Sequence, residues 1–168
     1  LIQQLYHILT GDKDTSEYFI TSRIAAIRAG VETDEDLDYV NSMNFSGRLE
    51  DNLRERFGIF VNEIDDNHYG IENCIQKYTK SILDRATKIR KGYKEYINGL
   101  NVKEGDIAFF DFVAKGTTQY FISRLVENHM KGFYFLQLEP DYMKRKNLDI
   151  TPFYTNEEMN GSAIFDNY

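Results

Sequence analysis

Ile107-Ala108-Phe109-Phe110-Asp111-Phe112 and Phe133-Tyr134-Phe135-Leu136-Gln137-Leu138 are two short aromatic runs, and the residues around and between them decide the fold. The first is preceded by Gly105 and the second by Gly132. Short apolar runs bounded in this way predict buried strands, in a sheet covered on both faces. Between them, Thr117 or Thr118 starts a helical stripe of Tyr120 or Phe121, Leu125 and Met130 that ends before Gly132. Strand, helix and strand within roughly 30 residues make a βαβ unit, so the two strands run parallel. Ile150–Tyr154 and Ser162–Phe165 are the candidates for further strands.

Upstream, the pattern is helical. Ile2, Leu5, Tyr6 and Leu9 share one helical face, with Gly11 as a stop. Ser16 is placed to cap a second helix carrying Phe19, Ile20, Ile24 and Ile27 up to Gly30. Thr33 followed by Asp36 is a capping-box-like start for Asp34–Ser42. Ser46 opens another helix, with Leu49, Leu53 and Phe57, which Gly58 ends; Val61–Gly70 reads as an acidic surface loop. From Ile71 to Asn98 the residues Ile71, Ile75, Tyr78, Ile82, Ala86, Ile89, Tyr93 and Tyr96 draw one continuous stripe. Seven basic residues against three acidic ones occupy the rest of that helix, which reads as a solvated basic face answering the acidic Glu32–Asp66 region, or as an anion-binding or membrane-surface face.

The expected fold is therefore α/β, with a helical layer over residues 1–100 packed on a small, mainly parallel Rossmann-like sheet formed by residues 101–168 of the same domain. A chain of 168 residues with 42% hydrophobic residues has the material for such a core. A net charge of -7 argues against general nucleic-acid binding. No apolar run approaches the roughly 20 residues of a membrane span, and no signal-peptide pattern is present, so a cytoplasmic location is expected. Cys74 is the single cysteine, which excludes intrachain disulfides and cysteine-based zinc sites. The chain opens within an amphipathic pattern and has no initial Met, which reads as a piece of a longer protein.

Chemistry concentrates in Asp111-Phe112-Val113-Ala114-Lys115-Gly116-Thr117-Thr118-Gln119. This stretch joins the end of a predicted strand to the start of a predicted helix, where ligands sit in open α/β sheets. Gly116 lets a backbone approach a ligand, and the amides from Gly116 to Gln119 would be the unpaired donors of a helix N-terminus, which favours phosphate or carboxylate. The Thr117 and Thr118 hydroxyls add hydrogen bonds, Lys115 and Arg90 add counter-charge, and Asp111 is the one candidate catalytic group. The plainer reading makes Asp111 an acceptor for loop amides and the threonines a helix cap.

Other candidates carry less. Asp12-Lys13-Asp14 resembles an aspartate phosphotransfer signature, but it follows helical spacing and Gly11 where that chemistry needs a buried strand. His7, His68 and His129 are too far apart in sequence to form a metal face. Cys74 reads as a packed hydrophobe, and Asp65-Asp66 lacks the alternating oxygen ligands of a calcium loop. No metal and no cofactor are expected.

Ser22-Arg23-Ile24-Ala25-Ala26, Phe45-Ser46-Gly47-Arg48-Leu49, Leu53-Arg54-Glu55-Arg56-Phe57-Gly58, Arg90-Lys91-Gly92-Tyr93-Lys94-Glu95-Tyr96, the Asp106–Gln119 segment and Gly132-Phe133-Tyr134-Phe135 occur in an order with a precedent. It resembles the region that follows the haloacid-dehalogenase-like domain in large bacterial surface-polysaccharide-biosynthesis proteins, which are often associated with glycosyltransferases. The resemblance implies a module binding a phosphorylated sugar or nucleotide sugar at Gly116–Thr118, with neighbouring domains of a longer protein as partners. It places the phosphatase-type Asp-x-Asp strand upstream of this chain. Val113-Ala114-Lys115 departs from the glycine or small residue expected in relatives. The alternative is a non-catalytic scaffold that positions transferase or phosphatase domains, with the acidic loops and aromatic residues as its interdomain surface.

Overall fold

A computed structural model describes residues 2–13, 16–43, 48–60, 71–100, 105–139, 141, 144 and 146–155. The chain divides into two compact units, Leu1–Lys103 and Glu104–Tyr168. The first is helical and the second holds a parallel sheet, as an α/β fold with leading helices requires.

In the first unit α1 spans Ile2–Thr10, α2 Arg23–Gly30, α3 Asp34–Ser42 and α4 Leu49–Asn52; a π-helical turn, Leu53–Phe57, continues α4, and α5 spans Ile71–Gly99. Thr33 and Asp36 form the reciprocal capping box: each side chain accepts from the other residue's backbone N–H. Gly58 ends the π turn with φ +69, a left-handed conformation that glycine adopts without penalty. One expectation fails here. The second helix starts at Arg23, not near Ser16, because Ser22 accepts a hydrogen bond from the Ala25 amide and so caps the helix itself. Phe19, left outside the helix, stacks on Tyr96 at 5.8 Å, and the Ile20 amide donates to the Tyr96 hydroxyl. The readings at Ser46, Val61–Gly70, His68, Asp65-Asp66 and the Cys74 side chain lie outside the described residues.

The core of this unit joins Ala26, Ile27 and Ala29 of α2, Leu37 and Val40 of α3, Leu53 and Phe57 of the π turn, and Ile82 and Ala86 of α5. Arginines tie these pieces together. The carbonyl end of a helix presents unpaired acceptors and a partial negative charge, which suit a cation. Arg28 donates to the carbonyls of Arg54 and Glu55 at 2.8 and 2.6 Å, at the end of the π turn. Arg56 is only 2% exposed and donates to the Val40 and Met43 carbonyls at the end of α3. Arg90 donates to the Ala29 and Val31 carbonyls at the end of α2 and pairs with Glu32. Burial lowers the Arg56 pKa to about 10, and the charge of Arg23 pushes it the same way.

In the second unit β1 spans Ile107–Ala114, α6 Thr117–Ser123, β2 Met130–Gln137 and β3 Asp149–Thr155. The order is β1-β2-β3 and both pairings are parallel, with Asp111 beside Tyr134 and Tyr134 beside Pro152. The Ser162–Phe165 candidate lies outside the described residues, whereas Ile150–Tyr154 is a strand as expected. Along β2, Met130, Gly132, Tyr134 and Leu136 are buried on one face, where α6 supplies Phe121 and Ile122. The other face corrects the expectation of a sheet buried on both sides. There Phe110 and Phe112 of β1 and Phe153 of β3 are 41%, 58% and 65% exposed. Among the described residues one short helix covers one face of the three strands, and side chains alternate strictly between faces.

Candidate functional site

The β1–α6 turn brings five of the predicted site residues into one segment, and most of their polar groups are already engaged within the fold. Gly116 precedes α6 with φ +84, so the turn does require glycine. The Gly116 carbonyl accepts from the Tyr120 amide, closing the first helical turn. Thr117 is buried and Thr118 half-buried. Lys115 is ion-paired with Glu139, the residue that follows β2 by two positions.

Gln119 is fully buried and serves the sheet. Its Nε2 donates to the Met130 and Asp149 carbonyls at 3.2 and 3.1 Å, and its Oε1 accepts from the Tyr134 hydroxyl at 2.7 Å. Met130 and Asp149 are the first residues of β2 and β3. The amide therefore works at the amino ends of these strands, opposite the mouth where ligands are held in open α/β sheets.

Asp111 sits on the α6-side face of β1, in register with Tyr134. Its Oδ1 accepts from the Phe112 amide at 2.8 Å. Desolvation raises its pKa above the usual carboxylate value, and the Phe112 hydrogen bond opposes that shift. A half-buried carboxyl held this way favours its neutral form more than an exposed one does. Arg90 belongs to the helical unit, where the α2 carbonyls and Glu32 engage it.

The remaining predicted groups stay apart. His7 meets the Ser16 hydroxyl at 2.6 Å, while His129 lies between Asp106 and Asp149 at 3.7 and 3.3 Å. Among the described residues no cluster of three His, Cys, Asp or Glu side chains is placed to hold a metal ion. Asp12 follows α1 and Gly11 in a left-handed turn, so it does not end a strand. A cleft of about 710 Å³ opens between α3 and α5, lined by Asp34, Asp38, Asn41, Ser42, Gln76 and Thr79 among others.

The feature missed in sequence is the open face of the sheet. Phe112 stacks on Phe135 with centroids 4.6 Å apart and planes 2° apart. Phe110 and Phe133 are paired in register one step before. At the start of the strands, Lys131 pairs in register with Asp149 on this same face. The signal was present as phenylalanine at alternate positions, 110 and 112, 133 and 135. Read as a continuous apolar run it suggested burial; read with period two it marks a face.

Among the described residues no helix is long and apolar enough to cross a membrane. Comparison with known protein families, curated proteins and solved structures finds no match to this chain.

Proposed function

We propose that the chain is a non-catalytic scaffold whose open sheet face pairs with the same face of a second copy. One observation carries this reading: a three-stranded parallel sheet presents Phe110, Phe112 and Phe153 to solvent where parallel sheets are ordinarily covered on both sides. An exposed aromatic patch of this kind marks a binding surface. Its charge favours a like partner. Lys131 and Asp149 stand side by side on the central and outer strands, so a two-fold axis passing between them sets each against its opposite in the other copy. A net charge of -7 disfavours a polyanion stacking on the rings. The commitment of Lys115 and Gln119 to bonds within the sheet unit, and of Arg90 to bonds within the helical unit, also favours a structural role over turnover.

Sedimentation equilibrium tests this directly. The parent chain is expected to dimerise reversibly at micromolar concentration, and a Phe112→Ser/Phe153→Ser variant to sediment as a monomer with unchanged far-ultraviolet circular dichroism. Lys131→Asp should weaken the dimer, and Asp149→Lys in the same chain should restore it. A monomeric parent, or a double serine variant that still dimerises, overturns the proposal.

A second reading keeps a phosphorylated or nucleotide-sugar ligand at the Gly116 turn, as the polysaccharide-biosynthesis resemblance implies. The left-handed Gly116 at the turn and the half-buried Asp111 in the strand that leads to it, its pKa raised by desolvation, favour this reading. Titration with a nucleotide sugar should then shift the amide resonances of Gly116–Gln119, and Thr118→Val should weaken the response. Silent amides would rule this reading out.

A further inference from the structure

The basic residues of α5 face more than solvent. At the carbonyl end of the π-helical turn two guanidinium groups converge. Arg28 comes from α2 and spends Nε and Nη2 on the carbonyls of Arg56, Arg54 and Glu55. Its Nη1 retains two N–H donors among the described residues. Arg85 comes from α5 and lies against Gly58: a Cβ on that glycine would stand 2.7 Å from Arg85 Nε and 3.3 Å from its Cζ. Arg85 is exposed, and among the described residues its guanidinium makes no hydrogen bond or ion pair.

The two groups are close enough to sense one another. Burial lowers the Arg28 pKa, the charge of Arg85 lowers it further, and only the exposed Glu55 acts in the opposite direction. Two like charges brought together with donors to spare form a fork for an oxyanion, since guanidinium groups bind phosphate through paired N–H bonds. Lys88, one helical turn from Arg85 and also exposed, adds a third positive charge on the same side. Gly58 contributes space: any side chain there would displace the Arg85 guanidinium.

We propose that Arg28 and Arg85, with Lys88 beside them, form a binding site for a phosphoryl group carried on a small molecule, at the end of the π-helical turn. π-Helical turns are rare and recur at functional sites. Arg28 serves both as the brace of the turn and as one wall of the site. Arg85 serves the ligand alone, and this difference makes the site testable.

Thermal melts of the full chain in inorganic phosphate, against chloride at matched ionic strength, provide the first arm. At ten times its Kd, phosphate should raise Tm by roughly 5 °C. Arg85→Gln should abolish that rise while leaving Tm in chloride equal to the parent's or higher, because it removes a like-charge contact. The Nε–Hε resonances of Arg28 and Arg85 should shift together during the phosphate titration. Phosphate acting no more strongly than chloride, or a full response retained in Arg85→Gln, overturns the site. A second arm uses phosphatidylcholine vesicles containing phosphatidic acid. Co-sedimentation with these vesicles that free phosphate does not compete away would assign the contact to a membrane surface and overturn the small-molecule form.

Discussion

The Gln119 side chain lies flat on Gly132: a Cβ at Gly132 would overlap Gln119 Oε1 and stand 2.9 Å from its Cδ. A glycine in the central strand and a buried amide in the covering helix are thus two halves of one feature. The missing side chain makes the space, and the amide fills it with three hydrogen bonds. No other residue type at position 119 combines two donors and an acceptor at that reach.

Gly132→Ala should accordingly destabilise the sheet unit by about 2 kcal/mol or more, as overpacking in a rigid core does. In a Gln119→Ala background the same change should have a smaller effect, because the nearest clash is gone and the 3.0 Å approach to Tyr134 Cε1 remains. Urea unfolding of the two single variants and the double closes the cycle. Equal effects of Gly132→Ala in both backgrounds would contradict the contact.

Gln119→Leu retains volume but removes the amide that accepts from the Tyr134 hydroxyl and donates to two carbonyls. A buried polar group left without a partner costs about 1–3 kcal/mol, so a loss of about 3 kcal/mol is expected. Tyr134→Phe, which removes only one partner, should lose about 1 kcal/mol. If Gln119→Leu unfolds at the parental urea midpoint, the amide does not hold the strands.

Arg90→Lys should destabilise the helical unit nearly as much as Arg90→Met. Nε donates to the Ala29 carbonyl and lies 3.2 Å from the Glu32 carboxylate while Nη2 donates to the Val31 carbonyl, a spread along one planar fork that a single ammonium cannot reproduce. The expected loss is about 1–3 kcal/mol for either variant, read from thermal unfolding. Full stability in the lysine variant would show that charge alone is sufficient.

Asp111 sets a pH dependence. Burial raises its folded-state pKa above the unfolded value, so the native state holds its proton more tightly. Stability therefore falls as pH rises from the ordinary carboxylate pKa through the raised one, and above that the penalty is constant. Asp111→Asn, which can still accept from the Phe112 amide, should stabilise the chain at pH 7 and lose that advantage below the ordinary carboxylate pKa. A benefit that does not change with pH would assign it to packing instead of charge.

Much of the secondary structure was legible from the sequence because its determinants are local. The Thr33–Asp36 capping box, the Gly58 stop and the long stripe of α5 each involve residues three or four apart, so their spacing alone displays them. The site was legible only in outline. Gly116 and Thr118 stand at a strand–turn–helix junction, whereas Asp111 lies inside β1, which runs on to Ala114; what Gln119 and Lys115 bind lies in β2, β3 and the segment after β2, and spacing carries no record of that. The late start of α2 turns on Ser22, whose hydroxyl accepts from the Ala25 amide and caps the helix there.

By itself, then, the sequence determined the order of the main elements, their parallel connection and the turn that needs glycine, since backbone sterics and short-range hydrogen bonds act within a few residues. It did not determine the start of α2 or the end of α6 at Ser123. Only the tertiary structure decided which face of the sheet stays open, which arginine closes which helix, and which polar side chains remain for a ligand. Those outcomes depend on groups such as Arg90 and Ala29, 61 residues apart, meeting in space. Whether a buried polar group is satisfied is a property of that meeting and of no single stretch of chain.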